Sequence, residues 1–168
     1  MNQNIKTFLL CPIPEEQKPI NEYIQFKENT FINWTVGPLN TYIKNLISFF
    51  LKIFFTFCLF SSSQLFEEKI SSLYLFNWIF QNFIQSFFIL FISLVIVLFQ
   101  WINLNQKLKQ ALIFYEEASW YDGQSWEKPF FLIKNDKLIS SQKVEPLIKR
   151  LLITIFFIFL LLTLLVFE

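Results

Sequence analysis

Of the chain's 168 residues 54% are hydrophobic, and a mean hydropathy of +0.45 does not suit a soluble domain of that size. Its 14 Lys+Arg against 13 Asp+Glu leave a charge of +1, too small a cationic surplus for a general nucleic-acid binder. The lack of His excludes His-ligated haem, a His general base and His-containing zinc sites, and two cysteines, Cys11 and Cys58, are too few for an iron–sulfur cluster within one chain.

Residues 1–45 read as a polar, proline-punctuated segment. Met1–Leu10 carries one lysine and a short apolar patch, less than a signal-peptide core, and the Leu10 that precedes Cys11 is too large for a lipoprotein cleavage site. Pro12, Pro14, Pro19 and Pro38 keep residues 11–40 extended or turning, because proline fixes φ and removes an amide donor, with at most short helices such as Asn21–Glu28.

Residues 46–102 are expected to form two membrane helices joined by a short turn. The first apolar run, Leu46–Phe60, reaches the roughly 20 residues needed to cross hydrocarbon only if Ser61-Ser62-Ser63-Gln64 and Phe66 are included, so a re-entrant or interfacial segment is the alternative. Lys52 interrupts this run, and its stem is expected to snorkel toward the side that holds Lys44. The second run, Leu73–Ile102, is too long for one perpendicular crossing. Asn82–Ile102 is assigned to the span, Leu73–Gln81 to an interfacial lead-in or tilted extension, and Trp78 and Trp101 to the headgroup levels. Asn77, Gln81 and Gln85 recur at helical spacing with Asn82 and Ser86 alongside, a polar face expected to meet another helix near Ser61–Gln64. The functional alternative is a pigment or quinone hydrogen-bonded there. Both glycines, Gly37 and Gly123, lie outside the apolar runs, so the helices should pack through larger side chains.

Residues 103–150 form a polar loop region. Asp122-Gly123, flanked by aromatics, is a hairpin signal pairing Ile113–Trp120 with Gln124–Pro129. Phe130–Ile133 and Lys137–Ser141 are expected as short elements, and Val144–Arg150, with Glu145-Pro146 in its first turn, opens the next helix. Glu116, Glu117 and Asp122 could in principle do acid–base work or hold a cation. Adjacent glutamates in a strand point to opposite faces, however, and no nucleophile–base set or Gly-rich phosphate loop accompanies them, so no catalytic residue and no metal site is assigned. Trp120, Tyr121 and Trp126 with these acidic neighbours form either a partner-docking surface or a pad against the membrane.

Residues 151–168 hold the third membrane helix, Leu151–Phe167, interrupted only by Thr154 and Thr163. With three crossings, Lys6, Lys18, Lys27, Lys44, Lys107, Lys109, Lys128, Lys134, Lys137, Lys143, Lys149 and Arg150 share one side, and Lys69 faces the other. The positive-inside rule then puts the amino terminus and residues 103–150 in the cytoplasm or the plastid stroma. The skew toward Phe, Ile, Leu, Lys and Asn follows from AT-rich coding, so 24 Phe are weak evidence for a pigment site.

Four segments carry a resemblance: Cys11-Pro12-Ile13-Pro14-Glu15-Glu16-Gln17-Lys18-Pro19-Ile20-Asn21-Glu22-Tyr23; the run from Phe114-Tyr115-Glu116-Glu117 through Trp120-Tyr121-Asp122-Gly123 to Trp126-Glu127-Lys128-Pro129; Asp136-Lys137-Leu138-Ile139; and Val144–Leu151. They are similar to the plastid open-reading-frame family called ycf thirty-six and its nuclear-encoded relatives, "conserved in the green lineage and diatoms twenty-seven". The resemblance implies a thylakoid membrane protein of oxygenic phototrophs, with plant members linked to photosynthetic adaptation under iron limitation and no enzymatic activity to carry over.

The expected fold is therefore an all-α membrane protein with about three transmembrane helices and a stromal loop that holds a short β-hairpin. The expected function is a non-enzymatic auxiliary factor in assembly, stability or acclimation of a photosynthetic complex. Pro12, Glu15, Glu22, Tyr23, Glu116, Glu117, Trp120, Tyr121, Asp122 and Trp126 are the expected partner contacts. Membrane lipid and a thylakoid protein complex are the expected partners, with nucleic acid excluded and no cofactor assigned. A small pigment-, quinone- or metal-handling membrane protein is the alternative.

Overall fold

The computed structural model of the chain describes residues 18–62, 72–115 and 124–167. In chain order its elements are α1 (Pro19–Glu28), α2 (Thr30–Asn33), α3 (Leu39–Ser61), α4 (Ser72–Lys109), β1 (Leu112–Tyr115), β2 (Gln124–Glu127), α5 (Phe130–Ile139), a π-helical turn (Ser140–Val144) and α6 (Glu145–Phe167). Contacts divide it into two compact units, Met1–Asn33 with Gln100–Ile148, and Trp34–Phe99 with Lys149–Glu168.

The first unit is polar. Pro19 opens α1 at a position where a missing amide donor costs nothing and its fixed φ suits the helix. Asn29 ends α1 and starts α2, its Oδ1 accepting the Phe31 N–H at 3.0 Å. A hairpin forms between β1 and β2 with antiparallel register Leu112↔Glu127 and Ile113↔Trp126, but Tyr115 pairs with Gln124, where the expected two-residue Asp122-Gly123 turn would place Tyr121; residues 116–123 lie outside the described residues.

The two short elements expected at Phe130–Ile133 and Lys137–Ser141 are instead one continuous helix, α5, which passes through the π-helical turn into α6. The reason is Pro146. It has no N–H for the carbonyl four residues back and its ring crowds that carbonyl, so a wide turn just ahead of it takes up the misfit. There the Glu145 N–H reaches five residues back to Ser140 O.

The second unit holds most of the apolar length. Helix α3 extends seven residues upstream of the expected start at Leu46, to Leu39, and ends at Ser61. It reaches spanning length through Leu39, Tyr42 and Ile43 rather than through Ser63–Phe66, which lie outside the described residues. Leu39, Ile43, Ile47, Leu51, Phe55 and Leu59 recur every four residues and are all exposed, an unbroken apolar stripe on the outer face.

The lead-in Leu73–Gln81 and the span Asn82–Ile102 are one helix, α4. Within this unit it buries Asn82, Ser86, Leu90, Leu94, Val97 and Leu98 along one side. Helix α6 buries Ile158 and Leu162 and exposes Leu152, Ile153, Phe156, Phe157, Leu160 and Leu164.

With no glycine in these helices, they meet through large rings. Phe50 of α3 packs on Phe83 and Phe87 of α4 at centroid distances of 5.6 and 4.6 Å, and Phe91 of α4 meets Phe159 of α6 at 6.0 Å. Aromatic pairs of this kind contribute about 0.5–1.5 kcal/mol each beyond area burial. The three stretches Leu39–Ser61, Leu73–Lys109 and Phe130–Leu165 are helices long and apolar enough to cross a membrane.

Candidate functional site

In the first unit, described residues from each of the four sequence motifs (Glu22 and Tyr23, Lys128, Asp136 and Glu145) lie around the carboxyl end of α4. Lys128, just past β2, is buried with its side chain 1% exposed, and its ammonium donates to Asp136 Oδ2 at 2.7 Å and to Lys107 O at 3.0 Å. That carbonyl is one of the last four of α4, which have no partner within the helix and carry the negative end of its dipole. One cation thus caps α4, pairs with α5 and, through its own N–H to Ala111 O at 2.9 Å, holds β2 in place. Asp136 Oδ1 is buried with no hydrogen-bond partner among the described residues. The Lys128–Asp136 pair is therefore held at the cost of an unmet acceptor, which makes removal of either charge disruptive.

Around this pair, Glu22 of α1 binds Lys107 through both carboxylate oxygens at 2.9 Å, and Lys109 pairs with Glu145 at 2.7 Å. The buried Ser140 hydroxyl of the π-helical turn donates to Asn105 Oδ1 at 2.6 Å. Trp101 is fully buried, with Tyr23 edge-on at 6.3 Å and Phe26 at 5.6 Å. Its indole therefore lies in the protein interior, covered by α1. Lys143 sits 6.0 Å from the Tyr23 ring centroid, and burial raises the Tyr23 phenol above its ordinary pKa.

The second unit has its own clasp. Arg150, the single arginine of the chain, donates from Nη1 to Gly37 O at 2.7 Å and stands 5.6 Å from the Tyr42 ring. Tyr42 is 1% exposed, stacks on Trp34 at 5.6 Å and shares a 2.9 Å hydrogen bond with Thr154 of α6. A planar guanidinium can lie on a ring and reach a carbonyl at once, which a lysine ammonium does less well.

At the other end of α3, Ser61 donates to Asn82 Oδ1 at 2.9 Å and the Trp78 indole N–H donates to Ser61 O at 3.2 Å. The contact expected between the serine patch and the polar face of α4 is thus made by Asn82. The five polar residues expected on one face separate, however. Asn82 and Ser86 point inward, whereas Asn77, Gln81 and Gln85 are exposed, because each of these lies one residue, about 100° round the helix, from the buried row that runs through Asn82, Ser86 and Leu90. Gln85 lines an apolar groove of about 490 Å³ with Phe88, Phe91, Phe159 and Thr163. Lys52 is exposed and shares an open groove with Lys44.

Of the expected partner contacts, Glu22 and Tyr23 are engaged inside the first unit, and Trp126 is half-buried on β2 opposite Ile113. Pro12, Glu15, Glu116, Glu117, Trp120, Tyr121 and Asp122 lie outside the described residues. Lys128, Asp136, Ser140 and Arg150 were not singled out as site residues by sequence reasoning. The signal available for Arg150 was its solitude among lysines. Nothing in sequence separation marks Lys128 and Asp136 as a pair. Among the described residues no group of three His, Cys, Asp or Glu is placed to hold a metal ion.

Among the described residues the architecture is mostly helical, with three membrane-length apolar helices and one small hairpin. Residues 11–157 match the profile of the CGLD27-like family, Conserved in the green lineage and diatoms 27, and the chain belongs to that family. It is 33% identical over 141 residues to the ycf36 protein of Porphyra purpurea, covering 84% of this chain and 83% of that one. With the ycf36 protein of Guillardia theta it shares 36% over 148 residues, 86% of this chain and 88% of that one. The chloroplastic protein Conserved in the green lineage and diatoms 27 of Arabidopsis thaliana is 31% identical over 140 residues, 83% of this chain but 42% of the longer relative. No solved structure matches the chain.

Proposed function

We propose that the chain is a multi-pass plastid membrane protein of the thylakoid that acts, without catalysis of its own, in assembly, stability or acclimation of a photosynthetic complex. The observation that carries the membrane part is the outward face of α3, where six large apolar residues at four-residue spacing have no protein cover. Water would oppose such a face and hydrocarbon favours it. The family's chloroplastic relative supports the compartment. Lysine placement supports an amino terminus and a 103–150 region that both face the stroma.

The auxiliary role is supported by the way the motifs are used. Glu22, Lys128, Asp136 and Glu145 of these motifs are all ion-paired around the end of α4, which suits a rigid platform that presents the hairpin and Trp126 to a partner protein. Affinity purification of the tagged full chain from mild-detergent extracts should carry subunits of a thylakoid complex, and Trp126→Ala should weaken their recovery. Wild-type material that never carries such a subunit would sink the role.

A second reading, pigment or quinone handling, is favoured by the apolar groove beside Gln85, where one amide faces rings at the depth of the apolar helices. An absorption spectrum with metal analysis of the purified protein separates the two. A chromophore lost in Gln85→Leu would favour the second reading, and a colourless, metal-free preparation would dismiss it.

A further inference from the structure

A second groove, of about 580 Å³, opens along α5 in the first unit and combines features the platform role does not use. Lys109 on its rim is matched by Glu145. Lys134 and Lys137, one helical turn apart, have no carboxylate partner among the described residues, so they repel each other and leave a net positive rim. Beside them Phe130 is 82% and Leu138 44% exposed, apolar surface that water does not favour.

Height matters as well. Ser140, in the groove wall, is bonded to Asn105. Asn105 lies three residues, roughly 4.5 Å, past Ile102, the last residue assigned to the span. Lys137 and Lys134 are then at most roughly 5 and 9 Å further along α5, within reach of a headgroup layer about 5–7 Å deep for side chains that snorkel.

We propose that this groove seats the headgroup of an anionic membrane lipid, its charge between Lys134 and Lys137 and its glycerol and upper acyl part against Leu138, on the side of the lysines nearer the span. Two unpaired cations over an apolar floor match an amphiphilic anion, and a free anion would leave the floor uncovered. The inference rests on the membrane reading above.

The test uses the full chain in neutral detergent, incubated with phosphatidylglycerol or phosphatidylcholine and examined by native mass spectrometry. Phosphatidylglycerol should be retained in preference. Lys134→Gln/Lys137→Gln should lose that preference, by roughly fivefold per lysine, whereas Lys134→Arg/Lys137→Arg, and Lys27→Gln outside the groove lining, should keep it. Equal retention of both lipids, or an unchanged preference in the Gln pair, overturns the site. Displacement of the lipid by inorganic phosphate at matched ionic strength also overturns it, in favour of a free-anion site. Membrane insertion is scored separately: release of the chain from native membranes by alkaline carbonate removes the membrane reading and this site with it, whereas a retained chain without lipid preference removes the site alone.

Discussion

Lys128 illustrates how a single side chain can join three elements. Its ammonium has left water almost entirely, and its two acceptors belong to α5 and to the end of α4. Lys128→Met leaves Asp136 as an uncompensated buried charge and should cost about 3–5 kcal/mol, read as a shift in denaturant unfolding of the detergent-solubilised protein. Lys128→Met/Asp136→Leu should recover most of that loss, because the penalty arises from the orphaned partner.

At Tyr23 the sign is set by burial, which disfavours the phenolate and raises the folded pKa above the ordinary 10.0. Its contribution to stability is complete below 10.0 and is lost as pH rises through the raised value. Ultraviolet titration should show a late phenolate amplitude that Tyr23→Phe reduces. Arg150→Lys keeps the charge but gives up the planar contact with Tyr42, and should cost about 1 kcal/mol in the same unfolding measurement.

Helix α4 shows what element-scale patterns can and cannot convey. Its length and apolar character follow from the run Leu73–Ile102, since nothing within it stops a helix. Which of its polar residues turn inward depended on the neighbour: Asn82 faces Ser61 and the backbone of Trp78, while Gln85 does not. Asn82→Leu should therefore destabilise the α3–α4 pairing by about 0.6 kcal/mol, and no more than about 2, whereas Gln81→Leu should leave unfolding unchanged. That strands pair on either side of Asp122-Gly123 was legible from the aromatic runs, but the register was not: Tyr115 pairs with Gln124, six residues before the Tyr121 that a two-residue turn would place there. The fusion of α5 with α6 was not legible either, because a proline usually reads as a start or a stop, and here a π-helical turn absorbs it.

For the whole molecule, the proposed topology makes a prediction independent of function. Protease added to the outside of sealed vesicles should cut the amino-terminal segment and the 103–150 region together or spare them together, since both hold the cations. Cleavage of one from each face would contradict three crossings.

Composition and residue order by themselves determined three membrane-length apolar helices, a small hairpin, the family, and the clustering of cations in residues 1–45 and 103–150. These follow from local physics: run length, periodicity, turn chemistry and charge. Only the tertiary structure decided that Trp101 is covered by Tyr23 and Phe26, that Lys128 meets Asp136 at the end of α4, and that Arg150 lies on Tyr42. The Trp101 and Arg150 contacts join residues far apart in the chain. Lys128 and Asp136 are near neighbours whose pairing depends on how the strand-to-helix connection packs against α4. A buried ring or charge takes its partner from packing, which no local pattern encodes.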